Sequence, residues 1–255
     1  MKKLTFIFLI LFGTGASACD CAIIGLLNRF AGADFVATAE IQKITPADSD
    51  YHDIEIEVDE IFKGSNVTKL KIESILNSSC AFYTPKKTKW LIFAYEDGER
   101  GLVFNSCSGA IQLDRKVNEE KYPGLTKKIE LSNQKKIDVL RFIKEKEIEV
   151  KNDFHLHYGF LNGCLGNGKG FSLEEGTFGL YKIRVSKKLK VKKVAMIKGL
   201  GNESLNKIVH HCFKNNFELY HNEQSKISKA TEITVGIYFY GAEGEHQSFV
   251  TTHDL

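Results

Sequence analysis

Six cysteines constrain this chain more than any other feature: Cys19, Cys21, Cys80 and Cys107 in the first half, Cys164 and Cys212 in the second. Even numbers on both sides allow every sulfur to pair within its own half. Cys19 and Cys21 are separated by Asp20 alone, too close for a relaxed mutual bridge, so each must reach elsewhere. Cys80 and Cys107 are the partners available. Cysteines persist as bridges only in an oxidising compartment, so the destination of the chain comes first.

The first residues bear on that destination. Met1-Lys2-Lys3 is followed by an apolar run over residues 4–12 and by small residues, with Ala16 and Ala18 in an A-x-A arrangement. The run is too short for a bilayer core, which needs about 20 residues. It reads as a secretory signal over residues 1–18, leaving a mature chain that begins at Cys19 in the periplasm, the cell envelope or the extracellular medium. No later segment is apolar for long enough to span a membrane. A lipid anchor on Cys19 is the rival expectation. It is disfavoured because Ala16 stands where lipoprotein signals usually carry Leu, and because a thioether at Cys19 would leave five thiols. The balance of 35 Lys+Arg against 32 Asp+Glu is too even for a nucleic-acid binder.

From residue 34 to about 113 the apolar pattern has period two. Phe35, Ala37, Ala39 and Ile41 alternate with small or polar residues, and Ile54, Ile56 and Val58 alternate with acids. Leu70 with Ile72, residues 90–95 and residues 102–104 add further strands, predicting an antiparallel barrel or sandwich after a short helix at 23–30. Residues 116–152 are charged and poor in strand pattern. Within them 134–148 has near-helical apolar spacing and is expected to be a solvated connector helix packed on one neighbour. A second unit, 153–255, carries alternation at Tyr181, Ile183 and Val185 and a strand at 191–197. An amphipathic stripe follows at Leu205, Ile208, Val209, Cys212 and Phe213, then a strand through Ile233, Val235, Ile237 and Phe239. That order describes a small α+β unit.

Several motifs in the first half follow one another in the order of a known family. A mature start Cys19-Asp20-Cys21, a short helix, residues 33–41 (ADFVATAEI), residues 54–64 ending Phe62-Lys63-Gly64, Ser79-Cys80, Trp90 to Ala94, and Phe104 to Ser108 resemble the tissue inhibitors of metalloproteinases and the wider netrin-like module. The resemblance implies an OB-like five-stranded barrel over 19–115, with bridges Cys19–Cys80 and Cys21–Cys107 pinning the N-terminus to it. It also implies a partner-binding site at Cys19, Asp20 and Cys21. In the inhibitors the free amine and carbonyl of the first cysteine chelate the zinc of the target protease, and the second side chain enters the adjacent pocket. Asp20 departs from the small hydroxyl residue usual there, and a carboxylate in an apolar pocket costs several kcal/mol unless paired. The inhibitors' third bridge has no cysteines here.

The second half resembles the C-terminal domain of TonB-type energy transducers more loosely. The likeness runs through residues 181–185, a basic turn, residues 191–194, Gly199 to Leu205 opening a helix, and the closing strand 233–239. Phe217-Glu218-Leu219 replaces the family's Trp-x-Pro. Cys164 and Cys212 are expected to form a third bridge, with a reactive thiol as the alternative.

Other constellations point nowhere definite. Residues 163–170 (GCLGNGKG) imitate a phosphate loop but place Gly170 where a hydroxyl should hold Mg²⁺. His155 and His157 are expected on one strand face, whereas His210 and His211 diverge by about 100° on a helix. No enzyme signature and no cofactor motif is evident. Lys86–Lys89 and Lys187–Lys193 read as solvated strand edges. The expected function is protein–protein interaction by an exported, disulfide-stabilised protein, in its most concrete form inhibition of a zinc metalloprotease. The alternative is an envelope adapter or lipoprotein without inhibitory activity.

Overall fold

The computed structural model describes residues 21, 24–48, 50–75, 79–221 and 226–252. Five strands of the first half close on themselves: β1 (Phe35–Pro46), β2 (Tyr51–Lys63), β3 (Lys69–Glu73), β4 (Lys89–Asp97) and β5 (Gly101–Phe104). Their order is β1-β2-β3-β5-β4, and β4 returns to β1 through Phe35–Glu40 paired with Lys89–Ala94. Every neighbour is antiparallel except β3 and β5. Closure requires a strand that can turn sharply enough to pair on both sides. β1 does so through three register irregularities against β2. A short β6 (Ile111–Gln112) extends the β4 side.

Strand parity decides what each side chain meets. Phe35, Ala37, Ala39 and Ile41 point into the barrel with Trp90, Ile92 and Ala94. The opposite parity, Val36, Leu91 and Phe93, is buried too, against helix α1 (Leu26–Gly32) and helix α2 (Leu125–Glu145). A strand covered on both faces has no reason to alternate, which accounts for the unbroken apolar run at 90–95.

The connector helix corrects two expectations. It is no solvated helix on one neighbour: Ile137, Val139, Leu140 and Ile143 are buried in a cluster that joins Leu27, Phe30 and Phe93 of the first half to Phe178, Leu180 and Tyr238 of the second. Arg141 reaches Glu60 on β2 at 2.8 Å, while the ring of Phe142 meets Phe178 edge-on at 5.7 Å. The helix also starts nine residues before 134 and stops at Glu145. Its first N–H groups are satisfied from outside, because the Glu119 carboxylate accepts from the backbone of Gly124 at 2.7 Å and Thr126 at 3.1 Å. The Thr126 hydroxyl first, and then those backbone bonds, hold the Glu119 carboxyl below the usual range. A cap supplied five residues upstream leaves no local capping motif to read.

In the second half, β7 (His157–Phe160), β8 (Phe178–Val185), β9 (Val191–Lys198), α3 (Glu203–Asn215), β10 (Phe217–Tyr220), β11 (Thr231–Tyr240) and β12 (Phe249–Thr251) follow. One antiparallel sheet has the order β12-β11-β8-β9, and β10 pairs with β7 beside it. Helix α3 begins where the Asn202 side chain accepts the Leu205 N–H at 3.0 Å. It lays Leu205, Val209 and Phe213 on Tyr181, Ile183, Val235 and Ile237. A 3-10 segment, Leu161–Gly168, is tied to α3 by the Cys164–Cys212 disulfide. The molecule is thus mostly β, a closed barrel and an open sheet, with few helices.

Candidate functional site

The loops at one end of the barrel converge on its sulfurs. Cys21 is bonded to Cys107, with their Cα atoms 5.1 Å apart. Asn105 shapes the turn that carries Cys107: its side-chain oxygen accepts from the backbone of Cys107 at 2.9 Å and Ser108 at 3.0 Å, and its amide donates to Glu73 at 2.8 Å. On the facing loop the buried Ser74 hydroxyl accepts the Phe82 N–H at 2.8 Å. Phe82 then stands edge-on to Trp90 and Phe104, closing that end of the core. Cys80 is disulfide-bonded as well, to a partner outside the described residues. Cys19 and Asp20 also lie outside them.

A shallow hollow of about 180 Å³ separates the two loops, bounded by Glu73, Ile75, Cys80, Asn105 and Cys107. Apolar groups stand exposed nearby, Ile75 at 40% and Tyr83 at 76%. Bridges and side-chain hydrogen bonds fix the backbone here while the tips stay open. A rigid scaffold presenting variable loops is the arrangement binding surfaces favour.

A second concavity, about 370 Å³, opens between α1 and the segment preceding β7. Asn28 and Arg29 of α1 and Tyr95 of β4 face Asp153, His155 and His157 across it. Asn152 joins the two walls. Its amide donates to Asn28 Oδ1 and to the Leu156 carbonyl, both at 3.0 Å, and its oxygen accepts the Leu156 N–H at 2.8 Å. The Arg29 guanidinium lies on Gly109, donating to that residue's carbonyl at 3.3 Å. A Cβ at position 109 would sit 1.9 Å from Arg29 Nη1, and φ there is +80°, so glycine is required twice over. Burial lowers the Arg29 pKa, partly offset by Tyr95, and burial raises that of Tyr95. Lys63 closes the end of α1, donating to the carbonyls of Phe30 and Ala31 at 3.0 Å each.

His155 does not share a strand face with His157. It has φ +49° and precedes β7, although both side chains reach this concavity. His210 and His211 are exposed on α3, with His211 beside Asn215. Among the described residues no three His, Cys, Asp or Glu side chains converge as a metal site. Arg29, Asn28 and Asn152 carry no signal in the sequence: they acquire a common neighbourhood only when residues some 120 positions apart meet.

Compared with protein-family models and with curated proteins, the chain matches none. No helix among the described residues is long and apolar enough to cross a membrane.

Proposed function

We propose that this is an exported binding protein whose first half is an OB-like, netrin-like barrel and whose disulfide-braced rim docks a protein partner. The observation that carries the reading is the Cys21–Cys107 bond, which fixes the chain to the rim loop beside Cys80 and the exposed Ile75 and Tyr83. Strand order β1-β2-β3-β5-β4 closing on β1 supports the OB-like assignment. Bridges need an oxidising compartment, which agrees with a secretory signal over residues 1–18. The second half, TonB-like in its strand–strand–helix–strand order, is proposed as an interaction module on the same scaffold.

The most concrete form of this function is inhibition of a zinc endopeptidase, the Cys19 amine and carbonyl taking the open zinc position and Asp20 entering the adjacent pocket. Mature protein at micromolar concentration is expected to slow at least one member of a zinc-endopeptidase panel. A fully active panel would remove the inhibitory form. Intact mass tests what inhibition presupposes. Residues 19–255 less six hydrogens leave the Cys19 amine free, and acyl mass on Cys19 would block it.

A further inference from the structure

We infer that the cleft between α1 and the segment preceding β7 binds a small organic monocarboxylate with a short apolar body. Its volume of about 370 Å³ lies in the range of small-molecule sites. The walls divide by chemistry. Ile24, Ala31, Val150 and Leu156 supply apolar surface, and Arg29, Tyr95, His155 and His157 supply hydrogen-bond donors.

Arg29 is the group that asks for a ligand. Among the described residues no carboxylate lies within ion-pair distance of it, and its Nε is buried with no acceptor. Its only hydrogen bond there is the 3.3 Å contact to the Gly109 carbonyl, which leaves most of its five donors unused. With Nε closed off against Gly109, the terminal Nη groups are the donors Arg29 can offer to the cleft it lines, and a half-buried cation of this kind is costly alone and strongly favourable against a carboxylate. His155 is held at φ +49°, a conformation uncommon for residues other than glycine, where its side chain lines the cleft. The Asn152–Asn28 bond fixes the spacing of the walls before anything binds.

Asp153 sets the limit on charge. It lines the same cleft, so a ligand with two or three negative groups would meet a like charge, whereas a single carboxylate directed at Arg29 avoids it. The apolar walls in turn disfavour acetate-sized ions that cover none of them.

Calorimetric titration of the full mature protein with butyrate, hexanoate, hexylamine and citrate tests this. Hexanoate is expected to saturate one site and to bind at least tenfold tighter than butyrate or citrate, with hexylamine giving no saturable heat. Arg29→Gln should weaken hexanoate at least tenfold. Because Arg29 also packs on Gly109, Ala31→Trp serves as a second variant that fills the cleft from the α1 surface and leaves Arg29 in place. It should abolish binding. Hexanoate that fails to saturate below 10 mM, binds no better than hexylamine, or binds both folded variants unchanged overturns the inference.

Discussion

The two halves solve the same problem in opposite ways. In the barrel, β4 returns to β1, so the five strands pair around a full circle and the core is enclosed by backbone hydrogen bonds. In the second half β9 and β12 remain edges, one face of the sheet is covered by α3, and a disulfide fastens the 3-10 segment to that helix. A closed sheet has no edge to protect and can devote its loops to binding. An open one must guard its edge, and β9 does so with Lys192 and Lys193 exposed on it. Between them, α2 and the outer parity of β1, β4, β8 and β11 form one cluster belonging to neither half.

If the open half depends on its staple, removing that staple should produce the largest change. Cys164→Ala with Cys212→Ala opens a loop of 48 residues. Loop entropy then predicts a loss of about 4 kcal/mol. Urea titration followed by far-UV circular dichroism and by fluorescence of the single Trp90, buried in the barrel, reads both halves at once. Both signals are expected to move to lower urea together, because the shared cluster passes the loss to the barrel. A barrel signal that stays in place would show that the halves unfold independently.

Leu140→Ala attacks the coupling itself. Leu140 is fully buried in the shared cluster, and such truncations cost about 3 kcal/mol. Here the two signals are expected to separate, the open sheet melting before the barrel, which the staple variant does not produce. Coincident curves in this variant would place the coupling elsewhere.

These variants also mark how far the sequence could be read. Period-two alternation is cleanest on β2, where one face meets a core and the other meets water: Ile54 and Ile56 are buried while Glu55 and Glu57 are exposed, whereas β1, β4, β8 and β11 are covered on both faces over part of their length. The stripe on α3 was legible for the same reason. Reading failed where burial comes from the other half. The inward stripe of α2 gave no hint that it faces two partners, and the Glu119 cap hid its start. β7, β10 and β12, of four residues or fewer, are too short for any period to emerge. Of the sites, the cysteines announced themselves by count and spacing. The cleft did not, because Arg29 and Asn152 become neighbours only after the halves join.

Tyrosine ionisation separates the halves on a smaller scale. In the second half Tyr181 is fully buried, its hydroxyl has no hydrogen-bond partner among the described residues, and burial pushes its pKa up to about 12; Tyr158 is pushed up to about 12 by burial as well. A raised folded pKa means that the folded state holds the proton longer than the unfolded chain does. The stabilisation is complete below the unfolded value near 10 and is lost as pH rises toward 12. Tyr181→Phe removes an unpaired buried hydroxyl, so it is expected to stabilise by about 1 kcal/mol at pH 8 and to reduce the loss between pH 10 and 12. Urea midpoints across that pH range measure both effects. An unchanged alkaline slope would assign the loss to Tyr158 and the barrel's Tyr95.

The smallest effect is expected at the Arg141–Glu60 ion pair, which spans α2 and the barrel. Arg141 donates to Glu60 through Nε at 2.9 Å, with Nη2 2.8 Å from the same carboxylate oxygen, and that hydrogen bond raises the Arg141 pKa. The arginine is 45% exposed, so water and salt screen the pair, and Arg141→Met should cost less than about 1 kcal/mol. In about 1 M NaCl, where the Debye length is about 3 Å, the difference should vanish. The comparison with Leu140→Ala is the sharper result: with apolar burial rather than charge joining the halves, the Trp90 and circular-dichroism curves of Arg141→Met remain coincident at both salt concentrations. Separation of those curves at low salt, closing at high salt, would instead make the ion pair the element that couples barrel and sheet.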